Sequence, residues 1–165
     1  MENIPRNKIV VGIDGSSESV NALRYASGLA SAMGHDLVAF ASWLPRIVLK
    51  DYTPEWAPEQ DAHGTLDRTI EQDAHDTLDW AIEQDAHETL DKSIEQAFGA
   101  NIPENLKREV VMGAAASNLL KASKDAAMVV LGTRGRGGFK GLVMGSVSSS
   151  LAAHASCPVL IHHGE

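Results

Sequence analysis

Cysteine is all but missing: Cys157 stands alone among 165 residues, which excludes an internal disulfide and any cysteine-built metal cluster. Aromatic side chains make up only 5% of the chain, and the net charge is −8, a poor match to the phosphates of nucleic acid. No apolar run approaches the ~20 residues that a membrane span requires. No secretory leader is visible, since Met1–Arg6 runs directly into strand-like sequence, so a cytoplasmic protein with no membrane partner is expected. Several catalytic signatures are missing as well. There is no Gly-x-x-x-x-Gly-Lys-Ser/Thr phosphate loop, and Lys140 occupies the third glycine of any Gly-x-Gly-x-x-Gly reading begun at Gly135. Ser146, Ser148, Ser149 and Ser150 lack the Gly-x-Ser-x-Gly frame of a nucleophile elbow.

What is present is an alternation of strands and helices in a chain of ordinary single-domain length, 44% apolar. Lys8–Ile13 reads as a first strand, followed by Asp14-Gly15-Ser16-Ser17, where Ser16 or Ser17 can cap a helix running to about Met33. Ala22, Leu23, Ala26, Leu29, Ala30 and Met33 recur at three- and four-residue steps, and Gly34 is a natural stop. Leu37–Trp43 is a second strand. Pro45, Pro54 and Pro58 keep residues 44–60 irregular. Further strands are expected at Lys107–Met112, Ala127–Leu131 and Pro158–His162, with helices at Ser117–Asp125 and 146–155. This order predicts a doubly wound α/β fold with an open parallel five-stranded sheet. In such folds ligands bind where the strand order reverses, here at the carboxyl ends of the first and fourth strands.

The fourth strand leads into a loop with glycines at 132, 135, 137, 138, 141 and 145, carrying Arg134, Arg136 and Lys140 and no carboxylate. Glycine lets backbone N–H groups turn toward a ligand at close range. The helix that follows offers free N–H groups and its positive dipole end, with Ser146 as the expected N-cap or hydroxyl donor. These features describe an anion pocket, most naturally for phosphates. Asp14, at the end of the first strand, is expected to face it across one crevice.

Gly132, two residues, Gly135, nine residues, then Gly145-Ser146 resembles the signature of the ATP-binding branch of the universal stress protein family. The resemblance covers residues 8–43 and roughly 107–163, including the Val-Val-Gly-Ile-Asp-Gly-Ser opening and the Cys157-Pro158-Val159-Leu160-Ile161 ending. It implies an adenine nucleotide alpha hydrolase-like fold of strand order 3-2-1-4-5, with ATP as ligand and Mg (or Mn) accompanying the nucleotide. The nucleotide-binding residues it implies are Asp14, Gly15, Trp43, Gly132, Thr133, Arg134, Gly135, Arg136, Gly145, Ser146, Val147 and Ser148. The position against the base, just past strand two, would be Ser42 or Trp43. The resemblance also implies a homodimer paired through the last strand. By contrast, Gly12–Ser17 does not match the Ser-Gly-Gly-x-Asp-Ser loop of related ATP pyrophosphatases.

Between the second and third strands lies a tandem repeat: DAHGTLDRTIEQ (61–72), DAHDTLDWAIEQ (73–84) and DAHETLDKSIEQ (85–96). It holds 11 of the 22 acidic residues and two of the 14 basic ones, so the rest of the chain is nearly neutral. One copy reads as the family's second helix and two as an insertion lengthening it within a single domain, 1–165. Ala62, Leu66, Ile70, Ala74, Leu78, Ile82, Ala86, Leu90 and Ile94 recur every fourth residue. On a helix each such step drifts about 40°, so a straight helix can dock only about one copy. The segment would be roughly 54 Å long, so the added copies are expected to project toward a protein partner, the alternative being a hairpin. His63, His75 and His87 each have carboxylates four residues to either side, a weak metal or proton site at most.

No residue stands out as a base to activate water at a γ-phosphate, so binding with at most slow hydrolysis is expected. The function expected is an ATP-binding, nucleotide-responsive regulatory module in stress response. The alternatives are a slow ATP hydrolase, or an adapter using the repeat arm with cyclic AMP or AMP as ligand.

Overall fold

The computed structural model describes residues 6–45, 65–135 and 144–164, and for 65–75 the backbone. Five strands form one sheet: Lys8–Gly12 (β1), Asp36–Trp43 (β2), Leu106–Met112 (β3), Met128–Gly132 (β4) and Val159–His162 (β5). Their order is β3-β2-β1-β4-β5, and every neighbouring pair is parallel. The intervening helices are Ser17–Met33 (α1), Thr65–Phe98 (α2), Ala115–Ala122 (α3) and Ser146–His154 (α4).

The central strands are apolar on both faces, as a sheet covered on both sides requires. Alternation along β2 divides the core. Leu37, Ala39 and Ala41 pack with Ala22, Leu23 and Ala26 of α1 and Leu90 and Ile94 of α2. Val38 and Phe40 point the other way, to Leu119 of α3 and Leu151 of α4.

Local chemistry sets the element ends. Ser16 caps α1, accepting from the Ser19 N–H at 3.2 Å, while its hydroxyl donates to Asp14 Oδ1 at 2.6 Å. Gly34 closes the same helix at φ 64, where a Cβ would be strained. Helix α3 stops three residues short of the expected Asp125, because the Ser123 hydroxyl turns back onto the Leu120 carbonyl and ties the Ser156 N–H to the same point. Strand β5 begins after Pro158, which has no N–H for the ladder. Replacing Ser16 by Ala removes both cap and carboxylate clamp; a loss of about 0.5–2 kcal/mol is expected by urea denaturation.

Residues 65–98 form one continuous helix, so the described part of the repeat does not bend back as a hairpin. Along α2 the buried and half-buried side chains include Ile82, Ala86, Leu90, Ser93, Ile94, Ala97 and Phe98. They follow the natural helical period and coincide with the every-fourth-residue stripe from Ile82 to Ile94. Toward the N-terminus the stripe leaves the body, with Leu78 43% exposed; Trp80, off the stripe, is 62% exposed. Asp91 receives the Arg108 Nε at 2.9 Å, and the Arg24 guanidinium reaches the carbonyls of Gln96 and Ala97. These contacts fasten the C-terminal end of the helix to β3 and α1.

Candidate functional site

A crevice of about 430 Å³ opens at the carboxyl ends of β1 and β4, within the usual range for a small-molecule site. Its apolar lining includes Phe40, Leu119, Leu131, Met144 and Val147. Its polar and glycine lining includes Asp14, Arg134, Gly135, Gly145, Ser146 and Ser148.

Asp14 is held by its own turn. Its Oδ1 accepts from the N–H and the hydroxyl of Ser16, at 3.0 and 2.6 Å, a geometry made possible by Gly15 at φ 81. The side chain lies so close to Gly135 that a Cβ there would strike Asp14 Oδ2. Two glycines of the loop thus have steric roles. Gly135 admits the carboxylate, and Gly132 admits the first turn of α1, whose Glu18 would be 2.8 Å from an added Cβ.

The loop ends are tied together by backbone. Thr133 N–H donates to the His162 carbonyl at 3.2 Å, Gly145 N–H donates to the Thr133 carbonyl at 2.8 Å, and the Ser148 hydroxyl donates to the Gly132 carbonyl at 2.8 Å. The N-cap of α4 is Gly145, with no side-chain cap bond; Ser146, expected to cap, is instead the first helical residue. A glycine cap leaves the first N–H groups of the helix uncovered by any capping side chain and facing the crevice side.

Of the residues expected from sequence, Asp14, Gly132, Arg134, Gly135, Gly145, Ser146, Val147 and Ser148 line this crevice together. Thr133 is 5% exposed and serves through its backbone. Gly15 shapes the turn without lining the crevice. Of the two candidates for the position against the base, Ser42 lines the crevice, while Trp43, which alternates with it along β2, is not among the lining residues. Arg136, Lys140 and His63 lie outside the described residues, as does the side chain of His75. His87 gains no metal partners, since Asp91 is engaged by Arg108; among the described residues no group of three histidine, cysteine or acidic side chains could hold a metal. Among the lining residues that sequence reasoning did not single out are Phe40, Ala115, Leu119 and Met144. Strand parity would have found Phe40; the helix residues carry no such signal. Burial pushes the Cys157 thiol up, offset in part by the Val129 backbone and Arg6, so the thiol is neutral near pH 7 and a poor nucleophile.

The model of the universal stress protein family matches residues 5–163. The chain belongs to the universal stress protein family. A universal stress protein of Mycolicibacterium smegmatis is 31% identical over 157 residues, covering 94% of this chain and 45% of that protein. One from Mycobacterium tuberculosis is 46% identical over 63 residues, 38% of this chain and 21% of its own length. The chain therefore spans less than half the length of these curated relatives. Among solved structures, a universal stress protein of Lactobacillus plantarum matches with a TM-score of 0.66 at 19% identity, covering 96% of this chain and 99% of that one. Another universal stress protein, solved in complex with cAMP, matches at 0.54 and 20% identity, covering 96% and 98%. At such identities the likeness is one of fold. No helix among the described residues is long and apolar enough to cross a membrane.

Proposed function

We propose that this universal stress protein binds ATP in the crevice and acts as a nucleotide-responsive regulatory module in stress response. The observation that carries this reading is the convergence of Asp14, Gly135 and the Gly145-Ser146 helix start on one crevice that is also lined by the apolar side chains Phe40, Leu119 and Leu131. The base and ribose would lie against the apolar side chains Phe40 and Leu119. The phosphates would run along the glycine loop to the N–H groups of Ser146 and Val147, with Arg134 and Arg136 balancing their charge. Asp14, with the Ser16 and Ser146 hydroxyls, would supply oxygens to a Mg²⁺ (or Mn²⁺) carried by the triphosphate.

Among the described residues lining the crevice, Asp14 is the sole carboxylate and there is no histidine. Its Oδ1 already accepts two hydrogen bonds, which supports holding nucleotide over rapid hydrolysis. Cyclic AMP is the second ligand to consider, because a protein of this fold carries it; competition calorimetry ranks the two. The test of the site is Gly145→Ala. An added Cβ there meets nothing nearer than the Thr133 carbonyl at 3.6 Å, so the variant should fold and lose only about 0.5–1 kcal/mol at the cap. Crowding of the phosphate approach should still weaken ATP at least about tenfold, roughly the effect of one lost close contact. Unchanged ATP affinity in that variant would count against the reading.

The two sheet edges differ in a way that supports a homodimer. Strand β3 is blunted by Lys107, Arg108 and Glu109, whereas β5 presents Val159, Leu160, Ile161 and His162, all half-buried and without a carboxylate, lysine or arginine. The Nδ1 of His162 is also buried with no partner among the described residues. Sedimentation at the monomer mass of 17.6 kDa would remove the dimer. We read the repeat as lengthening α2 of a single domain, with its acidic N-terminal part available to a protein partner, and the protein as cytoplasmic; the net charge of −8 supports the absence of a nucleic-acid partner.

A further inference from the structure

One polar pair at the crevice has a hydrogen-bond arrangement that fixes its donors and acceptors. Ser42 shares its strand face with Val38 and Phe40 and lines the crevice. Behind it stands Asn118 of α3, 7% exposed, adjacent in sequence to the crevice residue Leu119. Its Nδ2 lies 3.2 Å from the Met112 carbonyl and 3.3 Å from Ser42 Oγ. A carbonyl oxygen can only accept, so the atom facing Met112 must be the amide nitrogen, and the orientation of the amide is fixed. That nitrogen has two hydrogens, one for each oxygen. Ser42 Oγ is therefore an acceptor toward Asn118, and its own proton must point elsewhere.

Gly113 has φ 125, and a Cβ there would stand 3.1 Å from Asn118 Nδ2 and 3.2 Å from Oδ1. The same glycine donates its N–H to the Trp43 carbonyl at 2.8 Å, joining the ends of β2 and β3. Among the described residues Ser42 Oγ has no other hydrogen-bond partner. The crevice is the open side.

We propose that Ser42 presents its hydroxyl proton to an in-plane ring nitrogen of the bound base, and that Asn118 is the positioning residue that aims it. This rests on the nucleotide reading above and deepens it: the site selects a purine that offers a lone pair at that point. Adenine carries such lone pairs at N1, N3 and N7. A ring that presents C–H there covers the hydroxyl and leaves it unpaired, which is costly.

The test is calorimetric titration of the full chain with ATP and with its 1-deaza, 3-deaza and 7-deaza analogues. In the unaltered protein one analogue is expected to bind about tenfold or more weakly than ATP, the others within about threefold. Ser42→Ala should weaken ATP to the level of that analogue and erase the difference between them. Ser42→Thr, which keeps the hydroxyl, should preserve it. Asn118→Asp replaces a donor by an acceptor that takes the Ser42 proton, so it should abolish the discrimination while ATP still binds. If ATP binds but all three analogues match it, or if Ser42→Ala keeps the discrimination, the hydroxyl has no such role and the nucleotide reading stands. If ATP fails to bind the unaltered protein, both are overturned. The analogue series needs no variant, so a misfolded mutant does not obscure the result.

Discussion

Leu90→Ala should destabilise the protein by about 2–5 kcal/mol, the cost of deleting a fully buried leucine side chain and leaving a cavity. Leu78→Ala, the same position in the preceding copy of the repeat, should change stability by no more than about 0.5 kcal/mol. The two residues have identical local sequence roles, so any difference measures their surroundings. Leu90 is 1% exposed in the core between α1 and the sheet, while Leu78 is 43% exposed. Urea denaturation of both variants checks the prediction through their midpoints at constant slope. Equal effects would mean that the second copy is packed as firmly as the third.

Gly132→Ala should be a second large effect. Its Cβ would stand 2.8 Å from Glu18 Cβ and 2.9 Å from the Glu18 carbonyl carbon, and backbone cannot step aside as a side-chain end can. A loss of about 1–3 kcal/mol is expected from overpacking as the loop and α1 are pushed apart. Gly28→Ala provides the opposite sign. It sits exposed within α1 with nothing within 4 Å of an added Cβ, so a gain of about 0.5–1 kcal/mol is expected from the helical preference of alanine. Thermal melts of the pair separate a steric requirement for glycine from simple flexibility.

The elements were legible in sequence where local chemistry decides them. Ser16, Gly34 and Pro158 each act within a few residues of themselves, and each sets an end of its helix or strand. The loop residues of the site were legible for a related reason, since glycine spacing between a strand and a helix is itself a local pattern. Trp43 shows where this fails. Which of two adjacent residues lies against the crevice depends on which face of β2 carries α3 and α4, and that is a property of the whole sheet. The Asn118 amide was invisible for the same reason: Ser42 is 76 residues away and meets it through packing alone. The helix drift predicted that one copy would dock, but not that it would be the last; the attachments of Asp91 to Arg108 and of Gln96 and Ala97 to Arg24 decide that.

The arithmetic of the docked helix has a consequence for how this arm can change. Twelve residues advance a helix by about 18 Å and three and one-third turns, so each copy is rotated about 120° from the next. Because the copies are nearly interchangeable at their buried positions, losing or gaining one by slippage leaves a similar copy seated on the sheet. Everything beyond it is then shortened or extended by one step and swung through a third of a circle. Repeat number thus behaves as a screw adjustment: it resets the reach and bearing of side chains such as Trp80 in whole clicks, without disturbing the crevice.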